Sequence, residues 1–308
     1  MKKVVVIGGG HGLSTILKGI KKIDNIEIFA IVTVADDGGS TGRIRQRYTI
    51  PAMGDVRTVM TALSDSKPLI QDLMNYRFAG EDNTDIAGHS LGNLILTALT
   101  NMSGSFDTAI KTASDFLNVR GKIIPSTLQS VTLSAQMEDG TIVKGEKDIP
   151  SDKQRIDKVF YDRDVKANIE AIKAIENADL IIYGIGSLYT SILPNTIIDG
   201  INEALNNSKA KKIYFANCMT QSIETYNYDL KDHLNALKKH NTPVDIALVH
   251  NNEIPKEIVE RYLKRDSIEV INNGDCDTEV RAYDLLKFDN GLVRHDSDKI
   301  RKVVEDIL

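Results

Sequence analysis

The stretch that decides the fold is residues 3–14, KVVVIGGGHGLS, in which four glycines follow a run of apolar residues. The apolar run at 3–7 predicts a buried strand, and the amphipathic pattern at 12–22 predicts a helix. A second apolar run at 26–34 predicts the next strand. A strand, a helix and a strand in this order form a βαβ unit, in which the two strands lie parallel and the crossover is right-handed.

The alternation of apolar and amphipathic segments continues along the chain with one interruption. Further helices are predicted at 55–64, 69–76, 90–101, 106–117, 165–177, 196–206 and 298–308. Further strands are predicted at 180–184, 212–216, 245–249 and 268–271. Residues 130–137 and 141–145 extend on either side of the turn Glu138-Asp139-Gly140, a pattern typical of an antiparallel hairpin. The sequence therefore predicts one α/β domain over residues 1–308, with a β-rich excursion at about 120–165.

The composition argues against several classes of function. Of the 308 residues, 42% are hydrophobic and 26% are charged, as in an ordinary globular protein with a buried core. The net charge of −5 argues against a nucleic-acid partner, because such proteins present a basic face. The N-terminus lacks the apolar run of a secretory signal, and no segment approaches the roughly 20 apolar residues of a membrane span. Cys218 and Cys276 lack the spacing of a zinc site, so we expect a cytoplasmic protein.

The first candidate site is the glycine-rich turn at residues 8–14. Glycines allow the backbone to turn tightly, and the helix that follows directs free N–H groups towards a phosphate. The turn does not match the dinucleotide fingerprint G-x-G-x-x-G, since Leu13 and Thr15 stand where its third glycine would fall. It is not a P-loop either, because no Gly-Lys-Ser/Thr follows. A tight turn without a ligand is the alternative, but four glycines cost conformational entropy on folding, which favours binding.

A second candidate site follows the second predicted strand, where residues 35–42 read ADDGGSTG. Ligands of open α/β sheets bind beyond the carboxyl ends of the strands. Asp36 could accept a hydrogen bond from a ribose, or Asp36 and Asp37 could hold Mg²⁺ together with Asp55. An Asp-Gly turn without a ligand is the alternative, although adjacent carboxylates repel each other unless a cation or a donor compensates.

Charged and polar residues close to this segment give weaker signals. Four arginines follow in the sequence: Arg43, Arg45, Arg47 and Arg57. They fit either a phosphate clamp or an ordinary charged surface. Residues 88–94 read GHSLGNL, in which His89 or Ser90 can cap the next helix. A Ser–His hydrolytic pair is rejected, because residues adjacent in sequence rarely face each other.

A second glycine-rich turn, GIGSLYTS at residues 184–191, ends the strand predicted at 180–184. Hydroxyls at Ser187, Thr190 and Ser191 are suited to phosphate oxygens. Two such turns in one sheet indicate a crevice lined from both sides. The predicted nucleotide- and phosphate-binding residues are Gly8, Gly9, Gly10, Gly12, Leu13, Ser14, Asp36, Asp37, Asn93, Gly184, Gly186, Ser187, Leu188, Tyr189, Thr190, Asn217 and Met219.

The glycine-rich and polar runs of this sequence, in the order in which they occur, resemble the YvcK-like family of gluconeogenesis factors. That family shares a superfamily with the CofD-type 2-phospho-L-lactate transferases. The resemblance covers nearly the whole chain, and its runs are the opening glycine turn and residues 34–40, 76–78, 88–94, 186–191 and 219–221. It implies a Rossmann-like, mainly parallel sheet with helices on both faces and an inserted antiparallel hairpin. It also implies a cytoplasmic factor for cell shape during gluconeogenic growth that binds UDP-N-acetylglucosamine. The family usually has Thr in place of His11 and Pro in place of Ile185.

The resemblance assigns further residues near the C-terminus. Arg294-His295-Asp296 looks like a family segment associated with nucleotide-sugar binding, and Tyr262 is a second contact of this kind. Ser297 stands where some relatives carry a hydroxyl that a Ser/Thr kinase modifies. A phosphate there would add about two negative charges beside Arg294.

Two enzymatic hypotheses are the alternatives to a binding protein. A CofD-like transferase would move a phospholactyl group from a nucleotide to a deazaflavin acceptor, with Asp37 and Asp55 holding Mg²⁺. The acidic stretch of that family is replaced here by Pro51-Ala52-Met53-Gly54-Asp55, which has one carboxylate fewer. A nicotinamide dehydrogenase keeps the fold but lacks the fingerprint. The sequence leaves open whether the chain forms a homo-oligomer.

Overall fold

The computed structural model describes residues 1–80, 85–151, 154–274 and 276–308, and it begins with the predicted βαβ unit. Strand β1 (Lys2–Gly8), helix α1 (Gly10–Ile20) and strand β2 (Ile26–Val32) follow one another, and the two strands pair in parallel. The apolar run of β1 is fully buried. A continuous apolar strand of this kind is expected where helices cover both faces of a parallel sheet.

The first half of the chain continues with helices and the third strand of the sheet. These elements are α2 (Gly39–Arg47), α3 (Gly54–Leu63), α4 (Pro68–Asn75), α5 (Leu91–Ser103), α6 (Phe106–Phe116) and β3 (Lys122–Pro125). A small antiparallel sheet is inserted after them: β4 (Leu133–Met137), β5 (Ile142–Lys144) and β6 (Ile156–Tyr161), with a 3₁₀ turn at Ile149–Ser151. It is named the inserted sheet below.

The second half of the chain returns to alternating strands and helices. Its first elements are α7 (Ile169–Glu176), β7 (Leu180–Tyr183), a π-helical turn (Leu188–Ile192), α8 (Leu193–Thr196), α9 (Asp199–Asn207), β8 (Lys211–Phe215) and α10 (Leu230–Lys239). Its last elements are β9 (Ile246–His250), α11 (Lys256–Leu263), β10 (Glu279–Tyr283), β11 (Leu286–Asp289), β12 (Leu292–His295) and α12 (Ser297–Ile307). Within the described ranges, no helix combines the length and the apolar character needed to cross a membrane.

The main sheet has the strand order β10-β9-β8-β7-β1-β2-β3, and all its pairs are parallel. From β3 to β9 this is the doubly wound order 3-2-1-4-5-6 of Rossmann-like folds. The order reverses between β1 and β7, which pair directly, with Val4 opposite Leu180. In such sheets a ligand crevice forms beyond the carboxyl ends of the two strands at the reversal.

The sequence predictions of the fold are largely confirmed. The helices predicted at 55–64, 69–76, 90–101 and 106–117 correspond to α3, α4, α5 and α6, with ends shifted by one or two residues. The predicted hairpin is present as β4 and β5, and β6 completes it as a third strand.

One predicted strand is wrong, and several elements were not predicted. Residues 268–271 form no strand: Glu269 makes a single antiparallel bridge to Met219, and the place beside β9 is taken by β10 instead. Helices α2, α10 and α11 and strands β3, β6, β10, β11 and β12 were not predicted.

Candidate functional site

The two glycine-rich turns meet at the carboxyl ends of β1 and β7. A Cβ atom added to Gly12 would overlap the carbonyl oxygen of Ile185 and would lie 2.8 Å from the amide nitrogen of Gly186. Only glycine permits this approach of one backbone to the other. The two predicted glycine-rich turns therefore lie against each other at this edge of the sheet.

The first turn opens helix α1 and already holds one carboxylate of the chain. Gly10 has a φ of +54°, which favours glycine, and the N-cap Gly9 provides no side chain to cap the helix. The backbone N–H of Gly10 donates to Asp55. A Cβ added to Gly9 would collide with this carboxylate. The next amides of the turn, which lack acceptors inside the helix, remain for a ligand.

Three carboxyl groups beside the first turn lie close enough for their charges to affect one another: Asp36, Asp55 and Glu146. They are named the carboxylate side. Burial and the charge of Asp36 raise the pKa of Asp55 to about 7. Burial, together with the charges of Asp36 and Asp55, raises the pKa of Glu146 to about 8. The pKa of Asp36 is raised as well, mainly by burial. The carboxylate side is therefore ready to accept protons, a cation or hydroxyl donors near neutral pH.

The structure pairs the acidic residues differently from the sequence prediction. Asp55 faces Asp36 and not Asp37. Asp37 instead accepts a hydrogen bond from the backbone N–H of Lys147 at 3.0 Å, and so ties the inserted sheet to the crevice. Among the described residues, no three acidic, histidine or cysteine side chains are arranged to hold a metal ion. Asp37 and Asp55 are thus not brought together as the predicted Mg²⁺ ligands.

Basic residues lie close to His11 in the first turn, and the charge of one of them, Arg57, also opposes the rise in the pKa of Asp55. Burial lowers the pKa of His11, and the charges of Arg57, Lys18 and Arg294 lower it further. Arg57 also donates to the side chain of Asn93 at 3.1 Å. Lys18, Arg57 and Arg294 are named the basic side. Arg294, which the family resemblance assigns to the site, therefore lies near the first turn.

The other three arginines bind groups of the protein itself. Arg43 donates to the backbone carbonyl of Ala87, and Arg45 donates to the backbone carbonyls of Val131 and, at 2.9 Å, Asp36. Arg47 forms an exposed ion pair with Asp85 at 3.0 Å. A phosphate clamp of four arginines is therefore not formed, and of the four Arg57 is the one placed at the first turn.

Residues 88–92 have the letters of a G-x-S-x-G elbow but not its structure. Ser90 is fully buried and caps α5 by accepting a hydrogen bond from the backbone N–H of Asn93. The ring of His89 contacts the hydroxyl of Ser40 at 2.9 Å rather than that of Ser90. This segment therefore does not present an exposed nucleophile activated by a base.

Two of the three predicted hydroxyls of the second turn, those of Ser187 and Thr190, bind a carboxylate of the protein. Ser187 donates to the carboxylate of Glu224, and the hydroxyl of Thr190 lies 3.0 Å from the same carboxylate. The side chains of Leu188 and Tyr189 are buried in the core. These predicted residues can therefore contact a ligand through their backbone at most.

Asn217 holds the second turn in place from the end of β8. Its side chain accepts from the backbone N–H of Gly186 at 3.3 Å and donates to the carbonyl of Gly186 at 2.9 Å. The oxygen and the nitrogen of the Asn217 side-chain amide are thus both bound to the second turn. The predicted Met219 is buried close by.

Comparison with known proteins identifies the family. The family model described as "2-phospho-L-lactate transferase CofD" matches residues 4–286. A protein of Bacillus subtilis named "Gluconeogenesis factor" is 44% identical over 99% of this chain and 98% of its own length. The chain belongs to the gluconeogenesis factor family, within the CofD-like proteins.

Other members of the gluconeogenesis factor family are similar to the same extent. A gluconeogenesis factor of Listeria innocua is 44% identical over 97% of this chain and 93% of its own length. A crystal structure of a Bacillus halodurans protein superposes with a TM-score of 0.95 at 42% identity, and covers 99% of both chains. The α/β fold described above is thus the fold of solved relatives.

The residues assigned from the family resemblance are grouped at the C-terminal segment. The hydroxyl of Tyr262 accepts from the backbone N–H of Val293 at 3.1 Å, one residue before Arg294. Ser297 is the first residue of α12 and packs against Gly19 of α1, where an added Cβ would overlap its carbonyl oxygen. Tyr262, Arg294 and Ser297 therefore lie in one region that borders α1.

Two carboxylates of the site, Glu146 and Glu224, were missed by the sequence analysis. Glu146 follows β5 in the inserted sheet, more than one hundred residues after Asp36 in sequence. Glu224 lies three residues after the family run at 219–221. That run was the signal that could have drawn attention to Glu224, whereas nothing local distinguishes Glu146.

Proposed function

We propose that this gluconeogenesis factor binds a nucleotide sugar, UDP-N-acetylglucosamine, and acts as a regulatory factor. The observation that carries the proposal is the uneven charge around the first glycine-rich turn. The basic side is formed by Lys18, Arg57 and Arg294, and the carboxylate side is formed by Asp36, Asp55 and Glu146.

A nucleotide sugar has the matching distribution of chemical groups. Its diphosphate is anionic and suits arginines and the backbone amides at the start of a helix. Its sugar and ribose hydroxyls both donate and accept hydrogen bonds, so they can pair with the groups of the carboxylate side whether these are protonated or ionised. A ligand with an anionic centre and hydroxyl-rich ends therefore satisfies both sides of the crevice.

The names of the relatives support the cellular part of the proposal. Several are called gluconeogenesis factors. We assign to this chain a cytoplasmic role in cell shape during gluconeogenic growth. The site of control by a Ser/Thr kinase would be Ser297, because a phosphate there would lie close to α1 and the basic side.

Titration calorimetry with UDP-N-acetylglucosamine tests the binding. We expect a saturable isotherm for the wild type and an affinity about 10- to 100-fold lower for Arg294→Ala, since a hydrogen bond to a charged group contributes about 1.5–3 kcal/mol. Arg47→Ala is the matched control, because Arg47 is bound to Asp85 at the surface. A flat trace for the wild type would reject the proposal.

A CofD-like transferase is the second candidate, and the family match over residues 4–286 favours it. In that reaction the acceptor hydroxyl forms a bond to the phosphorus that bears the lactyl group, and the bond from this phosphorus to the nucleotide breaks. The acceptor proton must pass to a base, and the raised pKa of Asp55 is suited to this role. Mass spectrometry after incubation with a lactyl-diphosphonucleoside and a deazaflavin tests for the phospholactyl product.

A further inference from the structure

A row of polar side chains starts at the basic side and runs into the protein. Arg57 lies on α3, and its Nε donates to the side-chain oxygen of Asn93 at 3.1 Å. The side-chain nitrogen of Asn93 donates to the hydroxyl of Ser40 at 3.1 Å, and this hydroxyl lies 2.9 Å from Nδ1 of His89. Asn93, Ser40 and His89 have only 3%, 7% and 6% of their surfaces exposed. This row is named the polar chain.

The direction of each hydrogen bond in the polar chain follows from its first member. A guanidinium has donors and no acceptor, so the amide oxygen of Asn93 must face Arg57. The amide nitrogen of Asn93 then faces Ser40 and can only donate, so the oxygen of Ser40 accepts. The one proton of Ser40 is left for Nδ1 of His89. Because Nδ1 accepts this proton only if it carries none itself, the complete chain requires a neutral His89 with its proton on Nε2.

The surroundings of His89 favour the neutral imidazole. Burial lowers the pKa of His89, and the charges of Arg43, Arg47 and Arg77 lower it further. Arg43 and Arg47 belong to α2, and Arg77 follows α4. His89 is therefore the acceptor near neutral pH that the polar chain needs at its end.

The guanidinium of Arg57 is also held by its other two nitrogens. Nη1 donates to the side chain of Asn75, and Nη2 donates to the hydroxyl of Thr58 at 3.2 Å. The aliphatic stem of Arg57 passes Gly92 of α5, where an added Cβ would lie 2.7 Å from its Cδ. The guanidinium is thus fixed at a place from which its charge acts on His11 of the first turn.

We propose that Asn93, Ser40 and His89 are positioning residues, which hold the guanidinium of Arg57 beside the first turn through hydrogen bonds whose protons all point in one direction. This inference rests on the proposed binding of an anionic ligand and adds the residues that prepare Arg57 for it. The side-chain oxygen and nitrogen of Asn93 are both engaged by the protein, so Asn93 acts on the ligand through Arg57. A guanidinium that is already oriented loses less conformational entropy when an anion binds.

Nitrogen NMR of the histidine-labelled protein tests the order of the protons without a ligand. The chain contains six histidines, and the signals that disappear in His89→Asn identify those of His89. We expect the Nε2–H tautomer for His89 in the wild type at neutral pH. In Asn93→Asp the new carboxylate cannot donate to Ser40 and takes its proton instead, so His89 should carry its proton on Nδ1. An Nδ1–H tautomer in the wild type, or the same tautomer in both proteins, would overturn the proposal.

Calorimetry with UDP-N-acetylglucosamine tests the positioning of Arg57. We expect His89→Leu, which offers Ser40 no acceptor, to bind about threefold more weakly than the wild type. His89→Asn should recover most of this loss, because its amide oxygen can accept the proton of Ser40. Asn93→Leu removes the acceptor of Arg57 itself and should cost about tenfold. Thr100→Val, which removes a buried hydroxyl elsewhere on α5, is the control.

A double-mutant cycle separates positioning from a general loss of structure. In an Arg57→Ala background, His89→Leu should cause no further loss of affinity, because the residue through which it acts is gone. Additive losses would overturn the positioning role. If the wild type gives a flat trace while His89 shows the expected tautomers, the proposed function fails and the order of the protons stands. Exchange of the Arg57 Nε–H proton with water then measures the positioning: it should be faster in His89→Leu, and equal rates would overturn it.

Discussion

A Gly12→Ala variant is expected to lose about 2–3 kcal/mol of unfolding free energy, and its nucleotide affinity with it. The added methyl group would overlap the carbonyl oxygen of Ile185. Backbone atoms at the end of a buried strand have little room to retreat, so the two glycine-rich turns must separate. The crevice between them is the site in which the ligand is proposed to bind. Urea denaturation followed by circular dichroism measures the stability, and calorimetry measures the affinity.

Gly8→Ala is the matched control, four positions earlier in the same turn. Its added Cβ would lie 3.6 Å from the nearest side-chain atom, which is an ordinary van der Waals distance. We expect its unfolding free energy to stay within about 1 kcal/mol of the wild type, since alanine also restricts the unfolded chain. Equal urea midpoints for the two variants would contradict the prediction, because they would show that separating the two turns does not lower the unfolding free energy.

The contribution of Asp55 and Glu146 to the stability of the protein is expected to fall as the pH rises from about 4 to about 8. Asp55 and Glu146 have folded-state pKa values of about 7 and about 8, whereas their ordinary values are 3.8 and 4.5. In this window the unfolded chain releases both protons while the folded protein retains them, so the free energy of unfolding decreases. Each pKa unit corresponds to about 1.4 kcal/mol, and partial contact with solvent reduces the effect to the order of 2 kcal/mol for each group.

The variants Asp55→Asn and Glu146→Gln should remove this dependence. Both keep an acceptor oxygen and cannot ionise, so they should be more stable than the wild type at pH 8 and similar to it at pH 4. Urea titrations at a series of pH values provide the measurement, with Glu176→Gln, at an exposed position on α7, as the control. A double variant that retains the full slope of the wild type would contradict the assignment.

The sequence predicts well what is determined locally. The glycines within residues 8–12 and 184–186 follow apolar strands. Backbone sterics require glycine where two segments of the backbone touch, as at Gly12. The predicted position of both turns at one crevice therefore follows from the strand order of doubly wound sheets. His89 and Ser90 were both predicted as possible caps of α5, and the structure shows that Ser90 is the cap.

The side chains that fill the site could not be predicted in this way. Glu146 and Glu224 come from loops distant in sequence, and their partners are chosen by the packing of the inserted sheet and of the segment after β8. The availability of Ser187 was misjudged for the same reason, since a nearby carboxylate takes its hydroxyl. The strand predicted at 268–271 is wrong because apolar composition does not reveal which segment occupies the edge of a sheet.

The inserted sheet lies between the two glycine-rich turns in the sequence, and each turn is called one lip of the crevice here. The first turn is encoded before it and the second turn after it. A break at the exposed link between Asp139 and Gly140 would yield two fragments that each carry one lip. Neither fragment encloses a ligand by itself, so uptake of the ligand would report that the two have reassembled. The fold is in this respect a scaffold for a split biosensor.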